Sequence, residues 1–265
     1  MRTLVVIPAR YASTRFPGKP LSMLGGRPIV EHVWRSAVSA VGVDNVVVAT
    51  DDSRIAECVD KAAGRKVAVM TAATHRSGTD RCGEVVGRML DAGEAFDVVV
   101  NLQGDEPFVR QCDIETLTAC FSNPEVQIAT MRRRIENADD LFSPNCVKVV
   151  CGADGQALYF SRQPIPYRRD APMDQWLDGG EYYKHIGMYA FRAEVLLKLC
   201  RLPQSMLETS EKLEQLRWLE AGYRIAVADT DYEGIGIDTP GDLERAEAFF
   251  DTQMIDNKTK ITTRI

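Results

Sequence analysis

Along the first hundred residues, apolar positions follow two alternating rhythms. Short segments rich in β-branched residues, 4–7, 45–50, 66–70 and 96–102, have the length and texture of buried strands. Between them lie helical spacings. Val30, Val33, Trp34, Ala37, Val38 and Val41 form one apolar face behind a Gly25-Gly26 turn and Pro28, with His32 off the stripe as a surface residue. A short second helix starts at Asp51, Asp52 or Ser53 and stops near Gly64, and a third follows the polar loop 75–81 and runs through Leu90. This alternation predicts an α/β protein with a doubly wound, mostly parallel sheet and right-handed crossovers.

Past residue 125 the rhythm changes. Residues 127–135 alternate poorly around Arg132-Arg133-Arg134, which reads as a solvated face. Residues 147–151 and 157–161 flank Asp154-Gly155 and predict a hairpin. Residues 163–183 are proline-rich without periodicity, a loop able to close over a site. A helix is expected over 205–222 with Leu213, Leu216 and Leu219 inward, then a strand over 224–228 and a helix from Thr239-Pro240 to Phe250. Residues 251–265 are polar with no apolar face and read as a disordered tail. The expected organisation is one domain over 1–250, with a smaller β-rich part over about 125–200.

Composition narrows the function. A net charge of −6 and a pI near 5.3 argue against a nucleic-acid binder. Seven cysteines, an odd number with no C-x-x-C, fit reduced thiols in a cytoplasmic protein, and three separated histidines argue against structural zinc. The first strand begins at once, leaving no room for a signal peptide, and no apolar run reaches membrane-spanning length.

The chemistry concentrates after the first strand. Its loop carries Arg10, Arg15 and Lys19 and is stiffened by Pro17, Gly18 and Pro20. It holds neither G-x-G-x-x-G nor a Walker A sequence, because Lys19 precedes Pro20. Phosphates bound here would be held by side chains, Arg as a planar fork and Lys as a point charge. After the fourth strand, Gln103-Gly104-Asp105-Glu106-Pro107 puts a carboxylate where a hard cation could sit, although Gly, Asp and Pro also favour an exposed turn.

These blocks carry a resemblance. The run from Ile7 to Leu21, the Ser77-Gly78-Thr79 block, QGDEP at 103–107, Tyr159–Arg162 with His185–Tyr189, and Leu213–Arg217 with Asp238 closely resemble, in order, the CMP-Kdo synthetases (3-deoxy-manno-octulosonate cytidylyltransferases). The likeness covers roughly residues 2–250. It implies a Rossmann-like nucleotidyltransferase fold and the reaction of CTP with the sugar acid Kdo, giving CMP-Kdo and pyrophosphate for lipopolysaccharide biosynthesis. It further implies that Ala9, Arg10, Arg15, Lys19, Ser77, Gly78 and Arg81 bind CTP, Ser77 and Gly78 reading the base. Asp105 and Asp238 would hold Mg²⁺, with Arg10, Arg15 and Lys19 assisting catalysis. Gln103, Arg162, His185, Tyr189, Glu214 and Gln215 would surround the sugar acid. The family also implies a homodimer, with no nucleic-acid partner and no membrane insertion.

Other readings stay open from the residues alone. Sialic acid cytidylyltransferases carry Gly-Ser-Lys where this chain has Ala12-Ser13-Thr14-Arg15. Hexose-1-phosphate nucleotidyltransferases would want a Gly-rich loop directly after the first strand. An 8-amino-Kdo enzyme and a nucleotide-binding regulatory protein are the remaining alternatives. The pairing of Asp105 with Asp238 speaks against the last, since a pure binder needs no metal pair.

Overall fold

A computed structural model describes residues 1–13, 15–42, 45–233 and 236–262, with side chains through residue 252. Of the loop block quoted above, Thr14 lies outside the described residues. The chain divides into two compact units. The first comprises Met1–Leu4, Val86–Asn101 and Cys112–Glu233, and the second Val5–Val85, Leu102–Gln111 and Gly234–Ile265.

In chain order the first half contains β1 (Thr3–Ala9), β2 (Met23–Leu24), β3 (Arg27–Pro28), α1 (Ile29–Val41), β4 (Val46–Thr50), α2 (Ser53–Ala63), β5 (Ala68–Met70), α3 (Gly78–Asp91), β6 (Val98–Asn101) and α4 (Gln111–Ala119). The second half adds β7 (Ile128–Arg134), α5 (Ala138–Phe142), β8 (Lys148–Cys151), β9 (Ala157–Ser161) and β10 (Tyr183–Arg192). It closes with α6 (Ala193–Leu199), α7 (Met206–Glu211), α8 (Gln215–Glu220), β11 (Ile225–Asp229) and α9 (Pro240–Thr262).

The second unit is the α/β alternation the apolar rhythm predicts. β4 pairs in parallel with β1 on one side and β5 on the other, in register Ile7↔Val48 and Val48↔Ala68. Every residue of β4 is buried, as a strand covered on both faces requires. Helix α2 is capped by Asp52, whose carboxylate accepts the Arg54 N–H at 2.9 Å, and closes at Gly64. His32 is not a surface residue. Its Nε2 meets the Leu24 carbonyl at 2.8 Å and its ring lies edge-on to Phe250, 5.6 Å between centroids, so it joins α1 to the β2–β3 hairpin and to α9.

The first unit is a mixed sheet. β10 runs antiparallel to β6, β7 and β8, β8 pairs antiparallel with β9, and β11 runs parallel to β7. The pairing of β10 with β7 shifts between Ile186 and Tyr189. Thr130 sits opposite that irregularity, its hydroxyl within 3.1 Å of the Ile186 carbonyl and 2.8 Å of the Met188 carbonyl.

Three expectations change here. The single helix expected over 205–222 is broken into α7 and α8, because Lys212 adopts φ 55 and its N–H closes α7 on the Glu208 carbonyl. Leu213 and Leu216 are buried as expected, whereas Leu219 is half-buried. Residues 163–183 contribute to a small core, where Trp176 and Tyr182 stack at 6.2 Å and pack with Ile135 and Leu141 from outside the segment. Finally, α9 runs on to Thr262, past the point where the sequence reading ends the helix.

Candidate active site

In the second unit a cavity of about 240 Å³ opens beside the end of β1. Four segments build it. The β1 loop contributes Ala9, Arg10, Arg15 and Lys19, the start of α3 contributes Ser77, Gly78 and Arg81, and the turn after β6 contributes Gln103 and Asp105. Asp238 completes the wall from the residues before α9. All ten were singled out in the sequence, and the fold brings all ten into one space.

Close packing explains two of the glycines. A Cβ on Gly104 would sit 2.9 Å from the Pro8 carbonyl oxygen, so a side chain there would push the Asp105 turn away from β1. Gly18 sits at φ 73 as the cap of the short helical turn Lys19–Leu21, which fixes the backbone of Lys19.

The pocket's charges are arranged as alternating ion pairs. Lys19, 8% exposed, donates from Nζ to Asp105 Oδ2 at 2.5 Å and to Asp238 Oδ1 at 3.0 Å. Arg15 donates from Nη2 to the other Asp238 oxygen at 2.9 Å. The turn is tied to the α9 approach as well, since the Ile237 N–H donates to the Asp105 carbonyl at 3.0 Å. At the other wall Arg81 is buried, held by the Thr71 hydroxyl and by Asp51 Oδ2 at 3.3 Å. Ser77 caps α3, its Oγ accepting the Asp80 N–H at 3.1 Å, so the helix N-terminus faces a wall that suits an anion or a carbonyl edge.

Of the lining residues that received no role from the sequence, two carry ionisable side chains. His75 and Arg76 directly precede Ser77, and His75 is hydrogen-bonded to Glu84. Their only signal was adjacency to the Ser-Gly-Thr block.

The expected sugar residues, Gln103 apart, belong to the first unit. His185 and Tyr189 share one face of β10, their rings 5.3 Å apart, and Tyr189 meets Trp218 of α8 edge-on at 5.0 Å. Desolvation pushes His185 down to about 3, so its imidazole is neutral, and its Nε2 lies 2.9 Å from the Thr130 hydroxyl. Burial raises Tyr189 well above the ordinary tyrosine range, with Glu214 adding to the rise and the neighbouring Thr130 hydroxyl opposing it. Glu214 and Gln215 begin α8, and Glu214 accepts from Arg217 at 2.6 Å. Arg162 spends its guanidinium on carbonyls, donating to Glu211 at 2.6 Å, Pro144 at 2.8 Å and Lys212 at 3.4 Å.

The triple arginine is a paired surface. Arg132 bonds Asp229 at 2.7 Å and covers the Tyr183 ring, Arg133 lies 3.6 Å from Glu233, and Arg134 lies 3.5 Å from Glu181. Among the described residues no group of three or more His, Cys, Asp or Glu could hold a metal, and no helix is long and apolar enough to cross a membrane.

The comparisons with known proteins agree with one another. A family model described as Cytidylyltransferase matches residues 4–225. The 3-deoxy-manno-octulosonate cytidylyltransferase of Phocaeicola vulgatus is 52% identical over 94% of this chain and 97% of its own length. That of Thermodesulfovibrio yellowstonii is 48% identical over 95% and 99%. A solved CMP:2-keto-3-deoxy-manno-octonic acid synthetase complexed with CTP matches with a TM-score of 0.85 and 42% identity, over 96% of this chain and all of that one. A cytidylyltransferase from Leptospira borgpetersenii, 15% identical at a TM-score of 0.57, shares the fold. The chain belongs to the cytidylyltransferase family, alongside the 3-deoxy-manno-octulosonate cytidylyltransferases.

Proposed function

We propose that this protein transfers the cytidylyl group of CTP to Kdo, releasing pyrophosphate and giving CMP-Kdo for lipopolysaccharide assembly. The observation that carries the reading is the meeting of Asp105 and Asp238 across a pocket walled by Arg10, Arg15 and Lys19. Such a pocket suits a triphosphate, with Arg forks and a Lys point charge on the phosphate oxygens. The same two carboxylates fit Mg²⁺. One cationic group, the Lys19 ammonium, already lies within hydrogen-bond reach of both, and Mg²⁺ takes one or two carboxylates together with substrate phosphates and water. When bound, it would neutralise charge on the phosphates.

The protein's own work is positioning and electrostatics. Ser77, Gly78 and Arg81 offer hydrogen-bonding groups to the base, and a site built to pair one base edge rejects another that leaves those groups unpaired. Arg15 and Lys19 stabilise the leaving pyrophosphate. In the first unit the neutral His185 and the Tyr189 hydroxyl suit the hydroxyls of a sugar acid, with Glu214 and Gln215 adding polar contacts there. Arg162 enters this reading as the clamp that fixes the β9 end to the α7–α8 junction, and as a sugar-carboxylate partner only if it leaves its carbonyls. A homodimer in the cytoplasm completes the proposal. The exposed apolar Leu158, Tyr167 and Met206 supply surface for a partner copy, and seven free cysteines suit a reducing compartment.

The test is pyrophosphate release with CTP and Mg²⁺, comparing Kdo with N-acetylneuraminate. Turnover is expected with Kdo and is expected to fall by about 10³-fold in Asp105→Ala, the loss typical of removing a transition-state charge stabiliser. Absence of turnover with either sugar would overturn the assignment.

A further inference from the structure

Lys19 is drawn on twice in the reading above, and the two uses compete. Its ammonium holds Asp105 Oδ2 at 2.5 Å and Asp238 Oδ1 at 3.0 Å, the very oxygens offered to a divalent cation. Arg15 occupies the remaining Asp238 oxygen at 2.9 Å. A divalent cation bound at about 2.1 Å from such oxygens stands where the ammonium now stands, and like charges that close repel strongly. The two therefore compete for the carboxylate pair. The backbone of Lys19 is fixed by the Gly18 cap and Pro20, so only its four-carbon stem is left to swing. A phosphate bound in the same cavity would give it another partner.

On this basis we infer that Lys19 is an exchangeable internal counter-cation. A divalent cation displaces it from Asp105 and Asp238, and the nucleotide's phosphates receive it. Metal and nucleotide therefore bind with positive linkage through one side chain, each tightening the other by the same factor. Without the nucleotide, a metal must expel a buried cation into a pocket that offers it no new anion. Binary metal binding is weak for that reason. The device also keeps two neighbouring carboxylates neutralised whenever the pocket holds no metal. This inference rests on the proposed nucleotide site, and its test keeps the two apart.

The first measurement uses the wild-type full-length chain. Lysine reactivity toward acetic anhydride, mapped by mass spectrometry, reports whether the Lys19 ammonium is paired. Labelling of Lys19 is expected to rise severalfold when Mg²⁺ is added alone and to fall when CTP follows. The second measurement is Mn²⁺ binding by electron paramagnetic resonance in the absence of nucleotide. Lys19→Met is expected to bind Mn²⁺ about tenfold more tightly than wild type, within the usual range of coupling between sites. Lys19→Arg, which keeps the charge, is expected to stay near wild type. Unchanged Lys19 labelling on adding Mg²⁺, or Mn²⁺ affinity in Lys19→Met no higher than wild type, would overturn the inference and leave the nucleotide site standing. Failure of wild type to bind CTP by calorimetry, with metal present, would instead overturn the proposed function.

Discussion

Among the described residues two lysines are buried, and they are spent in opposite ways. Lys19, in the second unit, faces two carboxylates; Lys148, in the first, is fully buried and faces three backbone carbonyls, those of Ser143 at 2.8 Å, Cys146 at 2.5 Å and Arg162 at 2.6 Å. A carboxylate carries a charge that another cation can claim. A backbone carbonyl does not, so a lysine seated on carbonyls is a rivet rather than a ligand in waiting. Desolvation pushes Lys148 below the usual lysine range, and its acceptors join the 143–146 turn to the end of β9. Arg162 follows the same rule, its guanidinium shared among carbonyls of Pro144, Glu211 and Lys212. The acceptor, more than the cation, separates machinery from framework.

The sharpest way to break this contrast is at Asp238. Asp238→Asn is expected to lower turnover by about 10³-fold with little change in thermal stability, because it removes charge from an open pocket. A large stability loss would place Asp238 in the framework instead. The converse substitution is Lys148→Met, which strips the Cys146 and Arg162 carbonyls of this donor and leaves the Ser143 carbonyl only the Cys146 N–H. It should cost about 2 kcal/mol in a urea melt, since each orphaned buried acceptor costs on the order of 1 kcal/mol or more. Turnover per folded molecule should persist; losing it at full stability would make Lys148 part of the machinery.

Acid tests the neutral histidine. His185 titrates at about 3 in the folded chain and near 6.5 when unfolded. Between those values the unfolded chain binds a proton that the native one refuses, so stability falls as pH drops from 6.5 toward 3 and is fully present above 6.5. His185→Gln should flatten that acid limb, by at most about 1.4 kcal/mol per pH unit, less the share screened by water at this half-buried ring. Parallel limbs in wild type and variant would assign the acid loss elsewhere. The smallest effect is expected at Arg134→Ala, where an exposed pair with Glu181 is removed. Stability should move by no more than about 0.5 kcal/mol and turnover not at all.

Much of this was legible because local pattern and tertiary role coincide. The runs that became β1 and β4 are apolar apart from Thr3 and Thr50 at their ends, and Asp154-Gly155 marks the β8–β9 turn. The ten pocket residues were legible as blocks. Their pairing was not, since Lys19 reaches partners 86 and 219 residues away and no local signal carries such a contact. The break at Lys212 was hidden because its left-handed residue is neither Gly nor Asn, the usual markers of such a helix end. His32 looked peripheral because its two anchors, Leu24 and Phe250, come from other segments. Burial of Trp176 and Tyr182 was illegible for a related reason, as their partners Ile135 and Leu141 lie outside the segment.

That last feature bears on how the chain meets proteases. The 163–183 segment carries the dibasic Arg168-Arg169, an obvious trypsin target in an unstructured connection of this length. Here Arg168 donates to the Gln175 and Trp176 carbonyls at 2.8 and 3.0 Å, and the Trp176 indole N–H holds the Ala171 carbonyl at 3.0 Å. To enter a protease cleft the segment must first dissolve this core. Susceptibility at Arg168 therefore tracks local opening of the Trp176–Tyr182 stack, and nicking there serves as a gauge of that small core's integrity.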